Sequence, residues 1–326
     1  MMKTLFIDRK QVELSVESGR LMVRYGDARM PFSVPTRILE MLVISAPVQF
    51  SSSLVTQLTQ ENVVIVFINP RKSEASSMTT GMMHNDARRR LWQYQALTHE
   101  KLRLEFAKAL MQHKLRLQKA VLTRALLKRL DCRPALFTGV NRIQAQLDQL
   151  MTVANIDSLR GMEGAAGAAY FEAFQQLFAP SLGFNGRNRR PPRDPVNVIL
   201  SLTFTLLHAE AVRCLFAVGF DPLLGIYHEP CFGRESLACD LVELFRPLAE
   251  RWIWRLFAEE VVRLEYFVLA ANTEKPCLLG KRGREVFYAE YDQAARSWRR
   301  LMRRTARHWL ARLQLALVDQ VNPLVE

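Results

Sequence analysis

Four side chains in this sequence are of types that could do chemistry together. His228 ends the apolar approach GFDPLLGIYHEP, Asp240 and Glu243 form an Asp-x-x-Glu pair in SLACDLVELFRP, and Glu163 stands among small residues in MEGAAGAAYF. Three residues apart on a helix, Asp240 and Glu243 project from the same side. Two carboxylates with a histidine close upstream suit a hard divalent cation that keeps part of its water and binds substrate phosphate. The plain alternative is a solvated helix face bonded to Arg246 or Arg251, with His228 a hydrogen-bonded loop residue. Glu163 is flanked by Gly161, Gly164, Ala165, Ala166, Gly167, Ala168 and Ala169, which predict close approach of neighbouring elements. A carboxylate brought near buried backbone must be paired or metal-bound, and otherwise points to solvent.

Other chemistries fit less well. His228, Cys231 and Cys239, with Cys277 as a fourth ligand, are a rival zinc set, but the His-x-x-Cys-x7-Cys spacing matches no compact finger. A Gly-x-Ser-x-Gly elbow, a Walker loop and a dinucleotide fingerprint are all absent from the sequence, against serine nucleophiles, ATP hydrolysis and redox chemistry.

The elements that must position these residues change character along the chain. With 326 residues, 49% hydrophobic and 24% charged, the composition predicts a globular α+β chain of about two domains. Residues 3–70 alternate as short strands. TLFIDR, QVELSV and RLMVRY suggest a meander, LEMLVIS and VVIVFI deeper strands, and SSSLVTQLTQEN a short helix capped by Ser51 or Ser52. The expected organisation is a small N-terminal β-sandwich or roll over 1–75, serving as scaffold or oligomer contact. A linker over 76–87 and a larger all-α catalytic domain over 88–326 follow. Within the latter, Leu91–Leu130 reads as one long amphipathic segment with a basic face that includes Lys101, Arg103, Lys108, Lys114, Arg116 and Lys119. Residues 142–158 read as another helix, and 196–218 as a third, ended by Gly219. The helix of Asp240 and Glu243 should be interrupted near Pro247.

The charge is lopsided, with 45 Lys and Arg against 32 Asp and Glu, a net +13. That favours a polyanionic partner, nucleic acid or an acidic membrane surface. Two features point to nucleic acid. One is the loop GFNGRNRRPPRDPVN, with Arg187, Arg189, Arg190 and Arg193. The other is the run from Arg296 to Arg312, where Arg296, Arg300, Arg303 and Arg307 share a helix face and Trp298, Met302, Trp309 and Leu313 supply apolar contacts. Five scattered cysteines predict reduced thiols and a cytoplasmic location. The start MMKTLFIDRK reads as no signal peptide. No membrane partner is expected, because Val196–Val212, the most apolar run, contains Asn197, His208 and Glu210.

Four blocks in order carry a family resemblance: MEGAAGAAYF, RPPRDPVNVILSLTFTLLHAE, GFDPLLGIYHEP and SLACDLVELFRP. Together with the β-then-helical layout they resemble the CRISPR-associated adaptation integrases, the metal-dependent DNA endonucleases (Cas one) that insert new spacers into a CRISPR array. The resemblance implies metal ligands at Glu163, His228 and Glu243, with Asp240 as a nearby second acid, and Mg²⁺ or Mn²⁺ as cofactor. Glu243 stands where some members have Asp. ARRRLWQYQAL resembles the family's Arg-x-x-Gln stretch, which implies Arg90 and Gln93 as DNA or structural contacts. It further implies double-stranded DNA partners (spacer precursor and CRISPR repeat), a homodimer, and a small second adaptation protein (Cas two) bridging two dimers. The activity implied joins 3′-hydroxyl ends of short DNA to phosphodiesters of the repeat by transesterification. A structure-specific nuclease, a transposon-type integrase without a CRISPR array, and a non-catalytic DNA-binding scaffold are the alternatives.

Overall fold

The structure, a computed structural model, describes residues 3–27, 29–69, 76–81, 84–188, 191–268 and 277–321. The chain divides into two compact units, 1–84 with 288–293, and 85–287 with 294–326.

The first unit holds two four-stranded sheets over one core. Strands β2 (Val12–Glu17), β3 (Arg20–Tyr25) and β4 (Phe32–Pro35) form the expected antiparallel meander, and β6 (Val48–Phe50) adds to β2 in parallel. Between β2 and β3 the paired Glu17 and Arg20 leave a two-residue loop, Ser18 at φ 49° and Gly19 at φ 70°. Both angles lie in the left-handed region that such tight hairpins require. TLFIDR departs from the meander. Strand β1 (Lys3–Ile7) pairs in parallel with β5 (Leu39–Ile44), which pairs in parallel with β7 (Val64–Phe67). All six residues of β5 are buried, Glu40 among them, as a central parallel strand demands, so its mostly apolar run is the more telling signal. Helix α1 (Ser52–Gln60) starts after Ser51, but the Ser51 hydroxyl bonds to Ser53 Oγ at 2.7 Å and makes no cap. The segment expected to be a linker contains strand β8 (Ser77–Thr79), antiparallel to β7. Three polar-leaning residues carry too little hydrophobic period to be read as a strand. Within the same unit Tyr288 stacks on Phe6 with ring centroids 4.0 Å apart.

The second unit is helical: α2 (Arg88–Thr98), α3 (Glu100–Leu126), α4 (Arg133–Gln149), α5 (Ile156–Phe174), α6 (Pro195–Val218), α7 (Ser236–Glu243), α8 (Arg246–Ala258) and α9 (Lys281–Val321) apart from its residues 288–293, with a small ribbon of β9 (Phe267–Val268) and β10 (Leu278–Leu279). The long amphipathic segment breaks at His99, whose Nδ1 caps α3 by accepting from Leu102 N at 3.3 Å. Residues 142–158 are not one helix. Helix α4 ends at Gln149, and Asn155 caps α5 by accepting from Ser158 N at 2.8 Å. Asp194 caps α6 through Asn197 N at 2.8 Å, and Gly219, at φ 96°, ends it. α7 stops at Glu243, and α8 begins with Pro247 in its first turn, where the missing N–H is harmless.

Helix α6 is long and apolar enough by composition to cross a membrane, and 67% of its most apolar window is buried within the protein. Its Glu210 is 1% exposed and pairs with Arg299 Nε at 2.6 Å. All five cysteines are free.

Candidate functional site

The site begins with Asp240, which has no solvent exposure. Its Oδ2 accepts from the backbone N–H of Ile226 at 2.6 Å and of Tyr227 at 2.9 Å. Its Oδ1 accepts from His228 N at 3.0 Å and from His228 Nδ1 at 2.6 Å. One buried carboxylate therefore fixes three consecutive residues of the loop between α6 and α7. Because an ionised carboxylate only accepts, Nδ1 carries the imidazole proton and Nε2 keeps a free lone pair. Among the described residues Nε2 has no hydrogen-bond partner. Asp240 is thus a positioning group with its oxygens occupied, and the role of acid, base or water holder expected of a nearby second acid finds no free atom.

Side chains from three other helices brace the same loop. Gln93 is buried, donates to the carbonyls of Asp221 and Leu224 at 2.9 and 3.0 Å, and accepts from Asp221 N at 2.8 Å. Arg103 donates to the Ile226 carbonyl at 2.9 Å and Arg160 to that of Tyr227 at 3.2 Å, and both reach Glu229 Oε1. Gly225 allows the loop to close on α7: a Cβ there would lie 2.7 Å from Ser236 Cβ and nearer still to the His228 carbonyl oxygen.

Glu163, on α5, and Glu243, at the end of α7, converge on one cation. Lys114 Nζ, on α3, lies 2.5 Å from Glu163 Oε1 and 2.6 Å from Glu243 Oε2. The Lys114 side chain is 7% exposed, that of Glu243 9%, that of Glu163 28% and that of His228 27%. The cluster is closed behind and open on the Glu163 and His228 side. Arg246 Nε, 2.8 Å from Glu243 Oε1, completes the charge balance. Burial pushes the Glu243 carboxyl up, but Arg246, Lys114 and His228 outweigh it and hold the pKa at about 2. Burial likewise disfavours the Lys114 ammonium, and the Glu243 and Glu163 charges more than offset it, so its pKa is raised. The Glu243 carboxylate and the Lys114 ammonium are therefore both charged at neutral pH.

As they stand, no three His, Cys, Asp or Glu side chains among the described residues form a ready metal cage; the two carboxylates are gathered around Lys114 instead. The donor chemistry nonetheless fits a divalent ion. Two carboxylates and an imidazole nitrogen oriented by a buried carboxylate make a hard oxygen set with one nitrogen. Glu243 Oε2, buried and close to Nζ, still lacks a hydrogen bond of acceptable geometry. The zinc set does not gather: Cys231 is exposed, Cys277 is buried, and Cys239 faces His208, whose Nε2 is 3.1 Å from Glu235.

The small residues around Glu163 divide: Ala166 and Ala169 are buried, and a Cβ at Gly139 would lie 3.4 Å from the Ala169 carbonyl oxygen, as close approach predicts. Close approach between α4 and α5 occurs at Gly139, where a Cβ would lie 2.7 Å from Ala173 Cβ. Gly161, Gly164, Ala165 and Ala168 are exposed, and a Cβ at Gly161 or Gly164 would meet nothing within 4 Å. They form a bare face of α5 turned away from Glu163, whereas Gly167 lies on the Glu163 side, a Cβ there coming 3.9 Å from Glu163 Oε1. Gly164→Leu is expected to leave thermal stability unchanged or raise it by about 0.5–1 kcal/mol from helix propensity.

The arginines divide. Arg187 is committed within the protein: it donates to Asn197 Oδ1 at 2.6 Å, the Asn188 carbonyl at 3.0 Å and Ser201 Oγ at 3.2 Å, and lies over the Phe204 ring. Arg193 is exposed, and Arg189 and Arg190 lie outside the described residues. Arg90 is half-buried and already partnered. On α9, Arg296, Arg300 and Arg307 are exposed and Arg303 is half-buried and partnered, while Trp298, Met302, Trp309 and Leu313 are buried as the spacing implies.

Lys114, Arg103 and Arg160 are the functional residues that motif reading passes over. For Lys114 the signal was present. It falls on the stripe of Ala107, Leu110, Met111, Leu115, Gln118, Val121 and Leu122 that α3 buries. A lysine on an apolar stripe needs a buried acid. Which acid it meets is a contact across 49 residues that no local spacing shows.

The chain is similar to known proteins of one family. The family profile described as "CRISPR associated protein Cas1" matches residues 5–293. The "CRISPR-associated endonuclease Cas1 1" of Thermodesulfovibrio yellowstonii is 36% identical over 307 residues, covering 93% of this chain and 94% of that protein. The "CRISPR-associated endonuclease Cas1 3" of Thermus thermophilus is 32% identical over 265 residues, covering 81% and 76%. The fold is shared with TM1797, a Cas1 protein from Thermotoga maritima (TM-score 0.83, 19% identity, 96% and 97% covered). It is shared also with a casposase bound to integration product (TM-score 0.80, 20% identity, 95% and 91% covered). By the profile match over most of its length and the 36% identity to a full-length relative, this chain belongs to the Cas1 family of CRISPR-associated proteins.

Proposed function

We propose that this protein is a divalent-metal-dependent DNA integrase and endonuclease of CRISPR adaptation. In this reading it joins the 3′-hydroxyl of a short duplex to a phosphodiester of the CRISPR repeat. The observation that carries the reading is the convergence of Glu163 and Glu243 on one cation position, next to a histidine whose Nδ1 is locked by Asp240. The endonuclease names of the relatives support it, as does the casposase of the same fold bound to its integration product.

Glu163, His228 Nε2 and Glu243 would hold Mg²⁺ or Mn²⁺, the oxygen-rich set with one nitrogen being compatible with either. Such an ion, when bound, neutralises charge on the reacting phosphoryl group and eases entry or departure of its oxygens. Asp240 keeps the His228 proton on Nδ1 and the ring in place. The reaction balances without ATP: the 3′-hydroxyl loses its proton and forms a P–O bond, one P–O bond of the repeat breaks, and its freed 3′-oxygen takes up a proton.

Arg296, Arg300 and Arg307, exposed on α9, fit phosphate contacts. Arg300→Glu with Arg307→Glu is expected to weaken binding to unrelated duplexes alike. The slope of log affinity against log salt should fall by about two, one per lost phosphate contact. Partners in the proposal are double-stranded DNA, a second copy of the chain, and a small Cas2-type protein. About a third of one chain in a solved Cas6-RT-Cas1–Cas2 complex shares this fold (TM-score 0.79, 35% of that chain covered).

The test is an integration assay with labelled duplex and supercoiled plasmid, with and without a CRISPR repeat. Repeat-dependent joining that needs Mg²⁺ or Mn²⁺ is expected. Cleavage without joining would favour the nuclease reading, joining indifferent to the repeat a transposon-type integrase, and binding alone a scaffold.

A further inference from the structure

Lys114 stands where the proposed ion would have to act. Its ammonium is more than nine-tenths buried and contacts Glu163 Oε1 and Glu243 Oε2. These are oxygens of the two carboxylates assigned above as ligands, so this inference rests on that assignment. An ammonium and a divalent cation cannot share the space between the same two oxygens, because like charges a few ångströms apart in a poorly solvated site repel strongly. Without either cation, Glu243 would be a buried carboxylate balanced by Arg246 alone, a costly state.

We propose that Lys114 is a built-in cation that holds the metal-free site together and that the divalent ion must displace. In the empty site it keeps Glu163 and Glu243 converged and neutralised. On loading, its flexible four-carbon stem lets the ammonium withdraw while the carboxylates remain where the ion needs them. Lys114 therefore lowers the affinity for metal and sets a threshold that a weakly held monovalent ion would not overcome.

The full-length protein, without DNA, is titrated with MnCl₂ in a calorimeter as wild type, Lys114→Met, Lys114→Arg and Glu243→Gln. Lys114→Met is expected to bind Mn²⁺ about tenfold more tightly or better, since it removes a competitor worth at least one decade in affinity. Its metal-free melting temperature should fall and its rise on adding Mn²⁺ should exceed that of wild type. Lys114→Arg retains the charge and should not tighten binding. Should Lys114→Met fail to fold without metal, Lys114→Gln, which keeps a hydrogen-bonding end, must show the same tightening. Equal or weaker Mn²⁺ binding by the uncharged variants would overturn the displacement while leaving the metal site itself intact. If wild type shows no heat that Glu243→Gln removes, the metal assignment falls, and the displacement with it.

Discussion

Replacing Glu163 or His228 by alanine is expected to lower strand transfer by about 100- to 1,000-fold, the range for losing one group that stabilises developing charge. Affinity for duplex DNA should be unchanged. The two expectations separate because the two functions rest on different residues. Glu163 and His228 are the half-exposed members of the cluster, at 28% and 27%, so they face whatever enters it. The exposed arginines of α9 are separate from that cluster in sequence and, in the proposed function, would carry the non-specific electrostatic part of binding. Glu163→Ala also releases one of the two partners of Lys114, so a modest change in melting temperature should accompany it, whereas His228→Ala leaves the Lys114 pairing intact. Gel-shift titration beside a single-turnover transfer assay reads both quantities.

Asp240→Asn is expected to be the most destabilising single change in the site, by about 3–5 kcal/mol, the range for breaking a buried charged group out of its pairings. The amide is nearly isosteric, so packing is preserved and the effect is electrostatic. Asp240 accepts four hydrogen bonds, from Ile226, Tyr227, His228 and the His228 ring. An asparagine has one acceptor oxygen and turns an NH₂ towards donors, so at least one buried N–H is left unsatisfied. Against a typical total of about 5–15 kcal/mol that loss is large. Urea unfolding measures it. Transfer activity should fall even in the fraction that stays folded, because Nδ1 loses its carboxylate and His228 its fixed orientation.

The candidate site residues were legible in the sequence as types at spacings, but their roles were not. Asp240 and Glu243 look equivalent as an i, i+3 pair. The difference between them is that Asp240 is wholly enclosed under the 226–228 loop, while Glu243, at the last position of α7, turns towards Lys114 and Arg246. That is a matter of tertiary closure, and it depends on Gly225 allowing the loop to touch Ser236. Likewise Arg103 shows in the sequence only as one member of a basic face, because helical period says which residues share a face and not which loop covers it. Arg299 belongs to the same arginine run as Arg300, yet it is buried against Glu210, 89 residues earlier.

The fold shows the same division. The sandwich-then-helices layout, the burial of LEMLVIS, the stop at Gly219 and the break before Pro247 follow from composition, period and backbone preferences. The pairing of β1 with β5 does not, because a parallel partner is reached through a crossover and leaves no turn signature next to the strand. The break between α4 and α5 was hidden because the 142–158 stretch stays polar and helix-compatible across its capping Asn155.

The most direct measurement is anomalous diffraction from crystals of the full-length protein soaked in MnCl₂. The account predicts one manganese peak contacting the carboxylates of Glu163 and Glu243 and His228 Nε2, with Asp240 still bonded to His228 Nδ1 and Lys114 withdrawn from both carboxylates. A peak elsewhere, or none while manganese-dependent transfer persists in solution, would contradict it.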